Sequence, residues 1–222
     1  YADAGIVGGG RQNVVTMSHG AILGGEGNQV NAPHGLAGGG KGNAVNGDFG
    51  VAPGGENNTV NAEYGTTHGG HGNAVNGSYG VVAGGERNAV NDTHGVVGGG
   101  YWNYTTDDQE DLDAGAAGHS VVAGGQENYA IGGWGAVLGG RYNYAIGSDH
   151  GESGGGHAVV CGGQDNYAIG GWTAVLGGQD NYAIGAWASV LGGQDNYADG
   201  LHAVVAGGQE NFACFDASAV VG

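Results

Sequence analysis

The chain has 222 residues, 56 of them glycine and only two proline, and carries 21 acidic side chains against four basic ones, a formal charge of −17. Glycine at about a quarter of the chain, where roughly 7% is usual, with no Gly-X-Y period, excludes both an ordinary globular composition and collagen. The acidic excess argues against phosphate-led nucleic-acid binding and against docking on an anionic membrane, and no apolar stretch of about 20 residues is present to insert into a bilayer.

No signal peptide is recognisable, and the chain opens on Tyr1, as a processed form or a portion of a longer chain would. Cys161 and Cys214 lie more than three repeats apart, beyond bridging distance, and read as small buried apolar residues.

In chain order, the first signal is a phrase, Gly-Gly-x-x-Asn, that returns every 15 residues at Asn13, Asn28, Asn43, Asn58, Asn73, Asn88 and Asn103. A step of 25 residues leads to Asn128, one of 15 to Asn143, one of 23 to Asn166, and steps of 15 to Asn181, Asn196 and Asn211. Each long step equals one coil plus an insertion, of 10 and 8 residues, near 104–113 and 147–154. The expectation is one repeat domain over 1–222 with two loops extruded from a continuous stack.

Each coil holds two short apolar runs between glycine-rich corners. Helices are implausible, because glycine in a helix costs about 1 kcal/mol against alanine. Strands of three to five residues are expected instead. Two residues after each asparagine stands a column of Val15, Val30, Val45, Val60, Val75 and Val90, then Ala130, Ala145, Ala168, Ala183 and Ala198. Nine residues after it stand Ile22, Val82, Val97, Val137, Val175 and Val190, with Ala37 and Ala52. Small apolar columns of this kind are the inward faces of a thin solenoid, which gains stability only from stacked neighbours. The asparagines suit a corner, where they tolerate left-handed angles and can stack into a ladder, and the paired glycines supply positive φ at the other corner.

The residues flanking the inward column alternate to the outside. In the first half these are small and polar, such as Ala44, Asn46, Ala74 and Asn76. In the second half they are Tyr129, Tyr144, Tyr167, Tyr182 and Tyr197 with Ile131, Ile146, Ile169 and Ile184, and the companion run adds Leu138, Leu176 and Leu191. A stripe this apolar marks an association surface, with Tyr167, Ile169, Tyr182, Ile184, Leu176 and Leu191 as its candidate contacts. Six residues after the asparagine runs a column of His19, His34, Phe49, Tyr64, Tyr79, His94, His119, Trp134, His157, Trp172, Trp187 and His202. It reads first as a stacking ladder or seam. A second reading makes Trp134, Trp172, Trp187, His157 and His202 aromatic platforms for sugar rings.

No catalytic constellation is present. The triple glycines are not phosphate loops, and His68 and His71 lack the spacing of a zinc site. An enzyme would need paired carboxylates, which only the insertions could supply. The first insertion gathers Asp107, Asp108, Glu110, Asp111 and Asp113, a set of oxygen ligands that could hold Ca2+ but does not follow EF-hand spacing; a solvated acidic loop is the alternative. The second carries Asp149, His150 and Glu152, and loops on a rigid scaffold are where recognition often sits. No other cofactor is expected.

The phrase Ala174-Val175-Leu176-Gly177-Gly178-Gln179-Asp180-Asn181-Tyr182-Ala183-Ile184-Gly185 resembles the head repeats of trimeric autotransporter adhesins and the Gly-Gly-x-x-Asn repeats of phage tail fibres. The resemblance covers nearly the whole chain, although the coil is one residue longer than the usual head repeat. It implies an all-β, left-handed parallel β-roll or β-solenoid of about fourteen 15-residue coils, three chains side by side as a homotrimer, and attachment to host molecules. The expectation is therefore a non-enzymatic adhesive fibre, extracellular at a cell or virion surface, with itself and a host glycan or protein as partners. A purely structural filament or surface-layer subunit is the alternative. An ice-binding solenoid ranks below both, since only Thr66-Thr67 approaches a Thr-x-Thr column.

Overall fold

The computed structural model describes residues 4–107, 118–147 and 156–222. Among these residues every regular element is a strand and every pairing is parallel, which makes a parallel β-solenoid of about thirteen turns. The chain divides into two compact units, Tyr1–Trp102 and Asn103–Gly222.

In the first unit, one sheet runs from Val14–Val15 to Ala89–Val90 and a second from Ile6–Val7 to Val96–Val97. Each strand pairs with its counterpart one coil away, as Ala74 does with Thr59 and Ala89. In the second unit the sheets run from Tyr104–Thr106 to Phe212–Ala213 and from Val121–Val122 to Ala219–Val220. Among the described residues most strands have two residues rather than the three to five expected, and four-residue strands occur only at Tyr129–Gly132, Trp134–Val137, Tyr144–Gly147 and His157–Val160. The shortness has a structural reason. A third row of single bridges links Arg11, Glu26, Lys41, Glu56, His71, Glu86 and Tyr101 in the first unit, and Gln126, Arg141, Gln164, Gln179, Gln194 and Gln209 in the second. Each coil therefore has three sides, and the bends between them consume residues that longer strands would need.

Three bends per coil use the left-handed region. The second glycine of each pair is one: Gly40 has φ +78°, and a Cβ there would overlap the Gly55 carbonyl oxygen of the next coil. The residue just before the asparagine is another, as at Asn57 (φ 55°) and Asp180 (φ 52°). The ladder asparagines themselves are not left-handed, so the sequence reading of them as left-handed corner residues is corrected by one position. The third bend carries most of the aromatic column, as at His34 (φ 58°), Phe49 (φ 57°) and Trp187 (φ 57°), whereas Trp134 and His157 begin strands and Gly132 (φ 87°) takes the left-handed turn before Trp134.

The valine and alanine columns are the interior, as their spacing predicts: Val30, Val45, Val60, Val75 and Val90 are fully buried, as are Ala145, Ala168 and Ala183. Burying each valine is worth about 1.5–3 kcal/mol. The switch from valine to alanine is compensated from across the coil. Where the inward residue is valine, the position five residues later is glycine (Gly35, Gly50, Gly65), and a Cβ on Gly50 would lie 2.9 Å from Val45 Cγ1 and 3.0 Å from Val60 Cγ1. Where it is alanine, the equivalent position is larger in most coils: Ala158 (reached from Ala145 across the second insertion), Thr173, Ala188 or Ala203, all buried, with the pair Ala130 and Gly135 as the exception. The exchange conserves interior volume, which close-packed interiors require.

The asparagine ladder is the other half of the interior. Asn58 donates its backbone N–H to Asn43 Oδ1 at 3.0 Å, and its Nδ2 donates to the Gly54 and Gly70 carbonyls at 3.1 Å each. The same pattern holds in the second unit, where Asn181 donates to Asn166 Oδ1 at 3.2 Å and to Gly177 and Gly193. These buried side chains therefore pair the first-glycine carbonyls and the next asparagine N–H, and add a second donor to the Gly70 and Gly193 carbonyls, which also accept from the Glu56 and Gln179 N–H.

Candidate functional site

The outer faces differ between the units. In the second unit, Tyr104, Tyr129, Tyr144, Tyr167, Tyr182, Tyr197 and Phe212 form one stack, because parallel in-register pairing places identical residues directly over one another. Ring centroids are 4.7 Å apart at Tyr167–Tyr182 and 4.6 Å at Tyr182–Tyr197, with planes 1° and 6° from parallel. Burial, and then the neighbouring phenols Tyr197 and Tyr167, push the Tyr182 hydroxyl up to about 12. Burial likewise raises Tyr129, Tyr144 and Tyr167, and for Tyr167 the carboxylates of Asp165 and Asp180 add to it.

Beside the rings, Ile131, Ile146 and Ile169 are half-buried and Ile184 is exposed. Asp199 follows Ile184 in the same column and ends the apolar stripe with a charge. On the other sheet of this unit, Leu138, Leu176 and Leu191 point outward and are 55, 49 and 48% exposed. The second unit thus carries two unlike apolar outer faces, one of stacked tyrosine with isoleucine, the other of leucine with small residues.

At the aromatic bend of this unit, Trp134 lies between His119 and His157, with centroids at 4.5 and 5.5 Å. Trp172 packs on His157 at 4.2 Å with a 41° tilt, and Trp187 on His202 at 5.0 Å. Both faces of Trp134 are covered by its ladder neighbours, so a sugar approaching it meets ring edges. In the first unit the same bend stacks His19, His34, Phe49, Tyr64, Tyr79 and His94 at 4.7–5.0 Å.

Three further columns emerge from the structure. Asn31, Asn46, Asn61, Asn76 and Asn91 form a surface amide ladder, each Nδ2 donating to the next Oδ1 at 2.7–2.9 Å. The 15-residue recurrence of a second asparagine, three after the first, is the sequence signal for it. The bridge row of the first unit alternates in sign, with Arg11 on Glu26 and Lys41 Nζ 3.9 Å from Glu56. The corresponding row of the second unit is mainly glutamine, and each glutamine donates to the acid that comes next in the chain, as Gln179 does to Asp180 at 2.9 Å. Asp165, Asp180, Asp195 and Glu210 consequently stack without basic partners in that row, whose one cation, Arg141, sits 4.6 Å over the Tyr142 ring.

Of the candidate ligands for Ca2+, Asp107, directly after the strand Tyr104–Thr106, is half-buried, while Asp108, Glu110, Asp111 and Asp113 lie outside the described residues, as do Asp149 and His150. Among the described residues no group of three or more His, Cys, Asp or Glu side chains converges on a metal position. The cysteines are not buried as expected: Cys161 is half-buried and Cys214 exposed, because both stand on outward positions of their coils. Of the threonine pair, Thr67 is fully buried and only Thr66 faces outward. No protein-family model matches the chain, and no curated protein is similar enough to be matched to it.

Proposed function

We propose that the protein is a non-enzymatic, self-associating surface fibre, adhesive toward a host glycan or protein and located outside the cell, on a cell or virion surface. The observation that carries this reading is the pair of unlike apolar faces on the second unit. Exposed apolar stripes of this extent are usually covered by a partner. Two different faces on one chain meet head to tail, and a head-to-tail contact that closes makes a ring. A side-by-side homotrimer of left-handed coils satisfies this arrangement and agrees with the adhesin-head and tail-fibre resemblance of the repeat. Tyr167, Ile169, Tyr182 and Ile184 would face Leu176 and Leu191 of neighbouring chains.

Light scattering on the purified chain tests the reading. A mass three times 21.7 kDa is expected, falling to one chain in the Ile169→Asp, Ile184→Asp double variant. A monomer at every salt concentration would overturn it.

The covered faces of Trp134 favour a second reading, a purely structural filament or surface-layer subunit with no glycan partner. Binding to a glycan array separates the two, since a trimer that retains no glycan and no host protein is scaffold alone.

A further inference from the structure

Asn46 and Asn76 differ from Asn31, Asn61 and Asn91 of the surface amide ladder in their C-terminal neighbours: each precedes a glycine, Gly47 and Gly77. The main-chain nitrogen after an asparagine can attack the side-chain amide, and it is least hindered when its own residue lacks a Cβ. Packing imposes these glycines. A Cβ on Gly47 would overlap the Ala62 carbonyl oxygen of the next coil, and one on Gly77 the Asp92 carbonyl oxygen. The fold thus places the two most reactive asparagine steps of the ladder at exposed side chains.

The fold also holds every reacting group still. Asn46 Oδ1 accepts from Asn31 Nδ2 at 2.9 Å, Asn46 Nδ2 donates to Asn61 Oδ1 at 2.8 Å, and the Gly47 N–H donates to the Val60 carbonyl at 3.1 Å. Asn76 is held in the same way, accepting from Asn61 and donating to Asn91 at 2.7 Å each, with the Gly77 N–H on the Val90 carbonyl at 3.2 Å. Cyclisation requires the side chain to leave this position and the glycine nitrogen to turn toward Cγ.

We propose that Asn46–Gly47 and Asn76–Gly77 are spontaneous deamidation sites whose reactivity is gated by the amide ladder. When the ladder opens, the glycine nitrogen bonds to Cγ and the Cγ–Nδ2 bond breaks. Ammonia leaves with the glycine proton, and a succinimide remains. Water then opens either imide carbonyl, restoring the main-chain N–H and leaving a carboxylate as aspartate or isoaspartate. No oxidation occurs. The product cannot donate to the next Oδ1, so one opening is converted into a permanent break. The fold carries a one-way record of ladder opening, with Asn61 bonded to both reactive residues.

Peptide mapping by mass spectrometry, after incubation at mildly alkaline pH, reads the amide-to-acid conversion at each asparagine. It compares the folded chain, the same chain unfolded in urea, and Asn61→Ala. In the unfolded chain, Asn46 and Asn76 should convert ahead of the other ladder asparagines. In the folded chain both should be slow. Asn61→Ala should accelerate both roughly fivefold, the factor corresponding to one net side-chain hydrogen bond, with buried Asn43 and Asn73 unchanged as the folding control. Asn31→Ala, which removes the donor to Asn46 alone, should accelerate Asn46 and leave Asn76 slow. Equal rates in folded and unfolded chains would overturn the gating, as would no acceleration in either variant. Faster conversion elsewhere in the unfolded ladder would overturn the site assignment.

Discussion

Asn58 donates its backbone N–H to the side-chain oxygen of Asn43, 15 residues earlier, while its own oxygen accepts the backbone N–H of Asn73. Each link thus serves two coils. Asn58→Ala leaves the buried Asn73 N–H and the half-buried Gly54 carbonyl without this partner. Stranding two such groups should lower stability by about 3 kcal/mol, measured as a shift of the urea midpoint. The exposed Asn61→Ala should cost under about 1 kcal/mol.

Gly50 is kept small by Val45 and Val60. Gly50→Ala alone should overpack the coil and destabilise by roughly 1–3 kcal/mol. The combination with Val45→Ala and Val60→Ala rebuilds the alanine pattern of the second unit. It should recover part of that loss in thermal unfolding, whereas additive losses would refute the volume exchange.

Phe49 stacks on His34 and Tyr64 while holding a left-handed backbone. Removing the ring should cost about 1 kcal/mol. Phe49→Gly should nonetheless be less destabilising than Phe49→Ala, the reverse of the usual strand order, because glycine adopts positive φ without strain. Paired denaturation curves decide the order.

Tyr182 ionises in the folded chain at about 12, above its ordinary value of 10.0. A group whose folded value is raised contributes stability that is whole below the unfolded value and is lost as pH climbs through the folded one. Stability of the second unit should therefore fall between pH about 10 and about 12. Phenolate absorbance of the folded chain should lag that of the urea-unfolded chain over the same interval.

Salt should act oppositely on the two units. Screening weakens the exposed Arg11–Glu26 and Lys41–Glu56 pairs, and it relieves repulsion along Asp165, Asp180, Asp195 and Glu210. Hydrogen exchange should slow with added salt at Gln179 and Gln194. At Glu26 and Lys41 it should stay level or quicken slightly.

The period of the asparagines and the small apolar columns dictated a parallel solenoid with mainly valine and alanine inside, because a coil this short encloses little volume. The sequence likewise carried the tyrosine–isoleucine stripe and the aromatic column, since identical residues one period apart must stack in a parallel register. Other features depended on backbone angles and neighbouring atoms that no spacing reveals. Which residue of each corner turns left-handed was one, displaced from Asn58 to Asn57 and extended to Phe49. Whether a ring shows its face or its edge was another, settled for Trp134 by His119 and His157. The exposure of Cys161 and Cys214 came from the side of the strand on which each falls. The joining of Asn46, Asn61 and Asn76 into a hydrogen-bonded ladder required adjacent coils to be brought into contact, which only the tertiary structure does.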